Sequence, residues 1–402
     1  MAARHLNRPI YLDNHATTPT DQRVVDAMLP FFTEKFGNPH SRDHAYGWEA
    51  SDAVEKARGQ VATLIGAEPN EIIFTSGATE SNNLAVQGVA RFFKGRKSHI
   101  VTLATEHKCV LEACRFLEGE GFKVTYLPVG SSGRLDVDAL DAAITDETAL
   151  VSVMAAHNEV GVIQPMSEIG EVCRAHKVYF HTDAAQATGK IPLDVDDMKI
   201  DLLSISGHKL YGPMGVGALY VRRRPRVRLA PLFMGGGQER GLRSGTLPAP
   251  LCVGIGVACA IADQEMPMEM ERLRTMRDRL LGDIATGLDG VHVNGDIEGR
   301  LPGNLNISFE GTDAGGVMGS LPDLALSSGS ACISASIEPS YVLRAMGLAD
   351  DRASASIRIG LGRFNTDADI EYATGQIIEA VTGLRKNASG VTVEGAPSTT
   401  AA

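Results

Sequence analysis

Seven apolar runs of strand length, near 71–75, 99–104, 122–127, 148–154, 178–182, 201–205 and 216–221, recur with helical patterns between most of them. One such pattern is Pro165 to His176, where proline opens the segment and Met166, Ile169, Val172 and Cys173 share a face. Strand and helix taking turns over ~150 residues implies a mostly parallel sheet covered on both sides, an α/β architecture.

The flanking segments divide the chain. An opening strand, Ile10 to Leu12, leads through the turn Asp13 to Pro19 into helical patterns at about 21–36 and 41–65, which are parted by Gly37-Asn38-Pro39. These and the alternating region make a large unit, residues 1–262. A second, α+β unit is expected over 263–386. It begins with a helical face of Leu273, Met276, Leu280, Leu281 and Ile284, continues through strands near 291–293, 303–308 and 355–359, and closes with a helix at 366–385. Residues 387–402 are small and polar without a pattern, so a disordered tail is expected.

A chain of 402 residues can build two such units. Its net charge of -11 argues against nonspecific nucleic-acid binding, and the run Arg222 to Arg228, which could meet an acidic partner, reads first as solvated surface. The longest apolar stretch, Leu251 to Ala262, is too short to cross a bilayer, and no charged-then-apolar leader opens the chain, so a cytoplasmic protein is expected. Six cysteines lie scattered without metal or disulfide spacing, which fits a reducing compartment. Cys109, Cys114, Cys173, Cys252 and Cys259 have apolar-periodic neighbours and read as core. Cys332 does not. It sits in Ser327-Ser328-Gly329-Ser330-Ala331-Cys332-Ile333-Ser334-Ala335-Ser336, a run with almost no bulk to anchor it, which reads as a mobile loop carrying a reactive thiol.

Ligands of open α/β sheets sit beyond the carboxyl ends of the strands, and those ends carry chemistry here. Thr75 to Ser81 runs from a strand through small residues into a helix, a setting that gathers free N–H groups for a phosphate. The following ends bear Thr105-Glu106-His107-Lys108, Asn158-Glu159, Asp183 with Gln186, and Ser206-Gly207-His208-Lys209. Asp183 directly after an apolar strand needs a cationic partner, and a protonated ring nitrogen supplies one. Lys209, among small and apolar residues, is suited to losing a proton and attacking a carbonyl. Lysine, aspartate, phosphate turn and a flat side chain to cover a ring fit pyridoxal 5′-phosphate: Lys209 forms the Schiff base, Asp183 holds the ring nitrogen and His107 stacks. No G-x-G-x-x-G follows the first strand of the alternating region, which disfavours a nicotinamide site.

The motifs Tyr11-Leu12-Asp13, Ala16-Thr17-Thr18-Pro19, Phe36-Gly37-Asn38-Pro39, Thr75 to Ser81, Thr105 to Lys108, Asn158-Glu159-Val160-Gly161, Ser206 to Lys209 and Arg243-Ser244-Gly245-Thr246 resemble, in order, those of the IscS/NifS cysteine desulfurases. The likeness runs from about residue 9 to 385. It implies a fold-type I pyridoxal-phosphate-dependent transferase, with a seven-stranded large domain and a smaller C-terminal domain, that forms a homodimer. It implies that Ala78, Thr79, Ser206 and His208 hold the phosphate within the subunit and that Thr246 reaches the partner's. Asn158 and Gln186 would contact the ring and its oxygen, and Asn38 and Arg358 the substrate, with Arg358 on the carboxylate.

By the same resemblance L-cysteine is the substrate, Lys209 moves its α-proton, His107 assists proton transfer, and Cys332 takes the sulfur as a persulfide while alanine leaves. An iron–sulfur scaffold or another sulfur acceptor would be the partner, with Cys332 the one candidate metal ligand, transiently, to a shared iron–sulfur centre. Selenocysteine lyase, another fold-type I aminotransferase and a catalytically slow scaffold are the alternatives. The chain departs from the pattern at Asp313 to Pro322, where three glycines and a proline replace an expected bulky apolar helix, and in its tail, which lacks the acceptor-docking ending of bacterial housekeeping members.

Overall fold

The computed structural model describes residues 8–328 and 339–389. After β1 (Ile10–Tyr11), the seven apolar runs form β2 (Ile72–Thr75), β3 (His99–Leu103), β4 (Lys123–Leu127), β5 (Thr148–Ser152), β6 (Tyr179–Asp183), β7 (Leu202–Ser206) and β8 (Gly217–Val221). They make one sheet in the order β2-β8-β7-β6-β5-β3-β4. From β7 to β4 all pairs are parallel, while β8 runs antiparallel to both β7 and β2. The 207–216 connection is too short for a crossover helix, so β8 must return antiparallel.

Adjacent residues of each strand enter different cores, as two-sided coverage requires. Val101, Val151 and Leu203 pack with helices Ala45–Leu64, Met166–Ala175 and Ala249–Gly287 on one face. Their neighbours Ile100, Leu150 and Leu202 pack with helices Ala78–Phe93 and Lys108–Gly119 on the other.

The C-terminal part builds a second sheet from β9 (Val291–Val293), β10 (Asn304–Phe309), β12 (Ser327–Ser328) and β13 (Ser356–Gly360), all antiparallel, in the order β12-β13-β10-β9. Between them β11 (Leu324–Ala325) pairs in parallel with β1. Ile10 and Leu12 therefore lie in the same core as Ile307, Ile357 and Ile377, so the N-terminal strand packs with the C-terminal unit rather than with the large sheet.

Five further features refine or depart from the sequence reading. The boundary at 262/263 falls inside one continuous helix, Ala249–Gly287, whose first half packs on Ala45–Leu64. This helix is long and apolar enough by composition to span a bilayer, yet Cys252, Ile255, Cys259 and Ala262 are buried in the protein core. The pattern at 21–36 splits into Gln22–Met28 and Pro30–Thr33, because Pro30 has no N–H to continue the first helix. The last helix runs to Ser389, beyond the expected end; the remaining tail lies outside the described residues. The glycine-rich stretch keeps a short helix, Ala314–Gly319, capped by Asp313 Oδ1, which accepts from Gly316 N at 2.8 Å. Arg222, read as solvated, is buried with its Nε donating to Ile200 O at 2.9 Å.

Candidate active site

The carboxyl ends of β2, β6 and β7 and the β3 and β5 loops open onto a cavity of about 500 Å³. Each end contributes through its backbone path. β2 stops at Thr75, and Gly77, at φ 149°, turns the chain into helix Ala78–Phe93. That turn sits on β8, where a Cβ on Gly217 would stand 2.6 Å from Gly77 Cα, so only glycine allows the approach. The amides of Ala78 and Thr79 open the helix at the cavity wall, without intrahelical acceptors. Glu80 beside them would repel a phosphate, but Arg243 Nε donates to its Oε1 at 2.8 Å and offsets the charge.

Asp183 ends β6 and is buried at 5% exposure. Its Oδ1 accepts from Ala185 N at 2.9 Å and its Oδ2 from Asn82 Nδ2 at 2.7 Å. Among the described residues no cation pairs with it, so a cavity-facing carboxylate keeps an unmet demand for positive charge. Lys209 follows β7 on a single 3-10 turn, and its Nζ donates to His15 O at 2.7 Å and Ala16 O at 2.6 Å. His208 beside it contacts Thr17 Oγ1 through Nδ1 at 3.0 Å. Burial, then Lys209 and Lys190, lower its pKa to about 4, so the ring is neutral at pH 7.

His107 caps helix Lys108–Gly119 after β3. Its Nδ1 accepts from Cys109 N at 3.3 Å and lies 3.0 Å from Cys109 Sγ. Cys109 belongs to the cavity wall rather than to the core expected for it, because it stands in the first turn of a helix that starts at the sheet edge. The other four described cysteines are buried, and burial raises the thiols of Cys114, Cys252 and Cys259 to about 12. Arg358, on β13, reaches the cavity from the second sheet. Its Nη1 donates to Asn158 O at 2.9 Å and its Nη2 to Asp13 Oδ1 at 2.7 Å, and its Nε is buried without a partner.

Ala78, Thr79, His107, Asn158, Asp183, Gln186, Ser206, His208, Lys209 and Arg358, drawn from separate stretches of sequence, thus line one cavity. Asn38 and Thr246 do not. Asn38 is exposed on a turn that its own Oδ1 braces by accepting from His40 N at 2.9 Å. Thr246 is exposed on a loop after Arg243. Cys332 lies outside the described residues, and among those described no cluster of three or more His, Cys, Asp or Glu could hold a metal. Sequence reasoning missed Asn82, His15 and Lys190, which meet the site residues only through the fold.

A profile of the class-V aminotransferases matches residues 10–373. The chain belongs to that family. Among its relatives, a cysteine desulfurase of Pongo abelii is 60% identical over 379 residues, covering 94% of this chain and 83% of that one. A solved NifS-like protein superposes with a TM-score of 0.87 at 38% identity, over 93% of this chain and all of that one. A solved SspA in complex with cysteine is 40% identical with a TM-score of 0.79, covering 89% of this chain and 99% of that one.

Class-V aminotransferases use pyridoxal 5′-phosphate, and the architecture is that of fold-type I. The donor set fits the cofactor: a buried carboxylate lacking a counter-ion, a helix-initiating turn with open amides, and a lysine on the facing strand end.

Proposed function

We propose that the protein is a cysteine desulfurase that takes L-cysteine, releases L-alanine and leaves the sulfur as a persulfide on Cys332. The observation that carries this reading is the convergence of Lys209, Asp183 and Arg358 on one cavity from three separate strands. Pyridoxal 5′-phosphate, when bound, supplies an electron sink that loosens bonds at the substrate's α- and β-carbons.

The chain's own residues do the rest. Asp183 would keep the ring nitrogen protonated, Ala78, Thr79, Ser206 and His208 would hold the phosphate, Asn158 and Gln186 would hold the ring and its oxygen, and His107 would stack on the ring. Lys209 Nζ would hold the cofactor at rest and carry the α-proton once substrate is bound. Arg358 receives the substrate carboxylate, where the partnerless Nε and the adjacent Nη2 form a two-donor edge.

Cys332 Sγ then bonds to the substrate sulfur as the Cβ–Sγ bond breaks. The electron pair stays with Cβ, which takes a proton to become the methyl group of alanine. Support for its reach comes from Ser327, paired with Arg358 in the β12–β13 register. Ser328, the next residue, lies four positions before Cys332, at most ~14 Å of extended chain.

The working form is a cytoplasmic homodimer of two-domain subunits, in which Thr246 serves the partner's phosphate. Exposed Phe32, Phe36, Tyr46 and Trp48 favour a covering second copy. Sulfur passes to an iron–sulfur scaffold or another acceptor protein. The test is alanine production from L-cysteine by the cofactor-loaded protein in the presence of a reducing thiol. The reading requires alanine and sulfide in equal amounts and none from Lys209→Ala. Transamination with an oxo acid, or no alanine at all, would overturn it.

A further inference from the structure

Lys190 is a half-buried lysine without an ion-pair partner among the described residues. Among the described residues its ammonium makes no ion pair and donates one hydrogen bond, to Gln186 Oε1 at 3.0 Å. His15 Nδ1 approaches the same oxygen at 3.1 Å. An amide oxygen only accepts, so His15 carries its proton on Nδ1, and Nε2 is left as a bare acceptor, buried and without a partner. The other end of the amide is also held, with Gln186 Nε2 donating to His15 O at 2.8 Å.

An isolated glutamine amide can turn over at little cost. This one cannot, because turning it over would set its oxygen against His15 O, acceptor facing acceptor, and its NH₂ against the N–H of His15 Nδ1. The amide nitrogen has two protons and His15 O takes one, so a single N–H remains for the cavity that Gln186 lines. We propose that Lys190 is a positioning residue that, with His15, locks the Gln186 carboxamide so that it offers N–H and never C=O to the anionic oxygen of the ring bound beside Lys209. This inference rests on the pyridoxal reading of the cavity.

The charged groups around Lys190 agree with such a role. Lys209 and Arg358 both repel it, and, after burial, they lower its pKa to about 7. Burial, then Lys190 and Arg358, hold His15 well below its ordinary value, so His15 is neutral. Arg358 is partly neutralised by Asp13, and Glu269, which shares a small cavity with Lys190, is committed to Arg363 at 2.5 Å. An anionic ring oxygen facing this side gains a donor and a nearby cation, and both disfavour proton uptake by the oxygen and the lysine nitrogen next to it.

The experiment is a spectrophotometric pH titration of the cofactor-loaded protein. A visible band that moves with pH in the wild type establishes the pyridoxal reading by itself. Lys190→Met then moves the transition upward by ~1 pH unit or more, while Lys190→Arg, still a cationic donor, titrates as the wild type does. A Lys190→Leu protein serves equally should the methionine variant fail to fold. A transition in Lys190→Met or Lys190→Leu at the wild-type pH, or one displaced as far in Lys190→Arg, overturns the proposal and leaves the cofactor assignment standing.

Discussion

Asn82 and Asp183, 101 residues apart in sequence, are joined by a 2.7 Å hydrogen bond that fixes the carboxylate at the floor of the cavity. Asn82 stands in the second turn of helix Ala78–Phe93, so one helix holds both the turn proposed for the phosphate and the group that orients the carboxylate proposed for the ring nitrogen. A hydrogen bond to a charged group contributes roughly 1.5–3 kcal/mol. Asn82→Ala is therefore expected to release pyridoxal 5′-phosphate ~10-fold more readily or worse, by dialysis followed with absorbance. Unchanged retention would mean that Asp183 does not depend on Asn82.

Arg358 is held in its plane by Asp13 and Asn158 before any substrate arrives. A lysine at this position keeps the charge but loses the planar fork. Arg358→Lys is expected to raise KM for L-cysteine by ~10- to 100-fold while the bound cofactor's spectrum stays as it was. A KM within twofold of wild type would remove Arg358 from substrate binding.

Glu239 links three elements: its carboxylate accepts from both Arg58 Nη1 and Nη2 at 2.8 Å and from Phe74 N at 2.6 Å. Both side chains of the ion pair are almost fully buried. Without Glu239 the buried Arg58 keeps only the exposed Glu55 at its Nε and both Nη groups lose their carboxylate, so Glu239→Ala is expected to cost about 3–5 kcal/mol in urea unfolding. A loss below ~1 kcal/mol would show that the pair is dispensable.

His157 is neutral in the fold. Its Nε2 donates to Thr105 O at 2.8 Å, its Nδ1 accepts from Glu159 N at 3.0 Å, and burial first of all lowers its pKa to about 4. With a folded value below the ordinary ~6.5, its contribution to stability is complete above pH 6.5 and is lost as pH falls toward 4. That loss amounts to roughly 3 kcal/mol, and His157→Gln is expected to flatten the unfolding profile over this window. A variant profile parallel to wild type would contradict the assignment.

Apart from the half-exposed edge strand β4, the strands of the large sheet were legible because each is a short apolar run buried on both faces, such as Thr148–Ser152, and needs no distant partner to be recognised. Most of the expected site residues line one cavity because such a sheet delivers its strand ends to one place. What the sequence hid depends on distance or edges. His15 and Gln186 meet across 171 positions, and nothing local marks either as the other's partner. Cys109 has apolar neighbours along its helix, yet it falls at the end of the helix that borders the cavity. Asn38 belongs to a recognisable motif, but its side chain is spent on its own turn. At 262/263 the composition changes while one helix runs on, its first half in the core of the large sheet and its second half in the core of the C-terminal sheet, so sequence marks the change of partner but not the continuity of the backbone.

The account turns on the path of one sulfur atom. Cofactor-loaded protein mixed with a single equivalent of L-cysteine, without added thiol, can be quenched, alkylated and mapped by mass spectrometry. One additional sulfur on Cys332, matched one to one by free alanine, is the predicted result. Alanine formed in full with the additional sulfur on Cys109 or on no cysteine at all would contradict it.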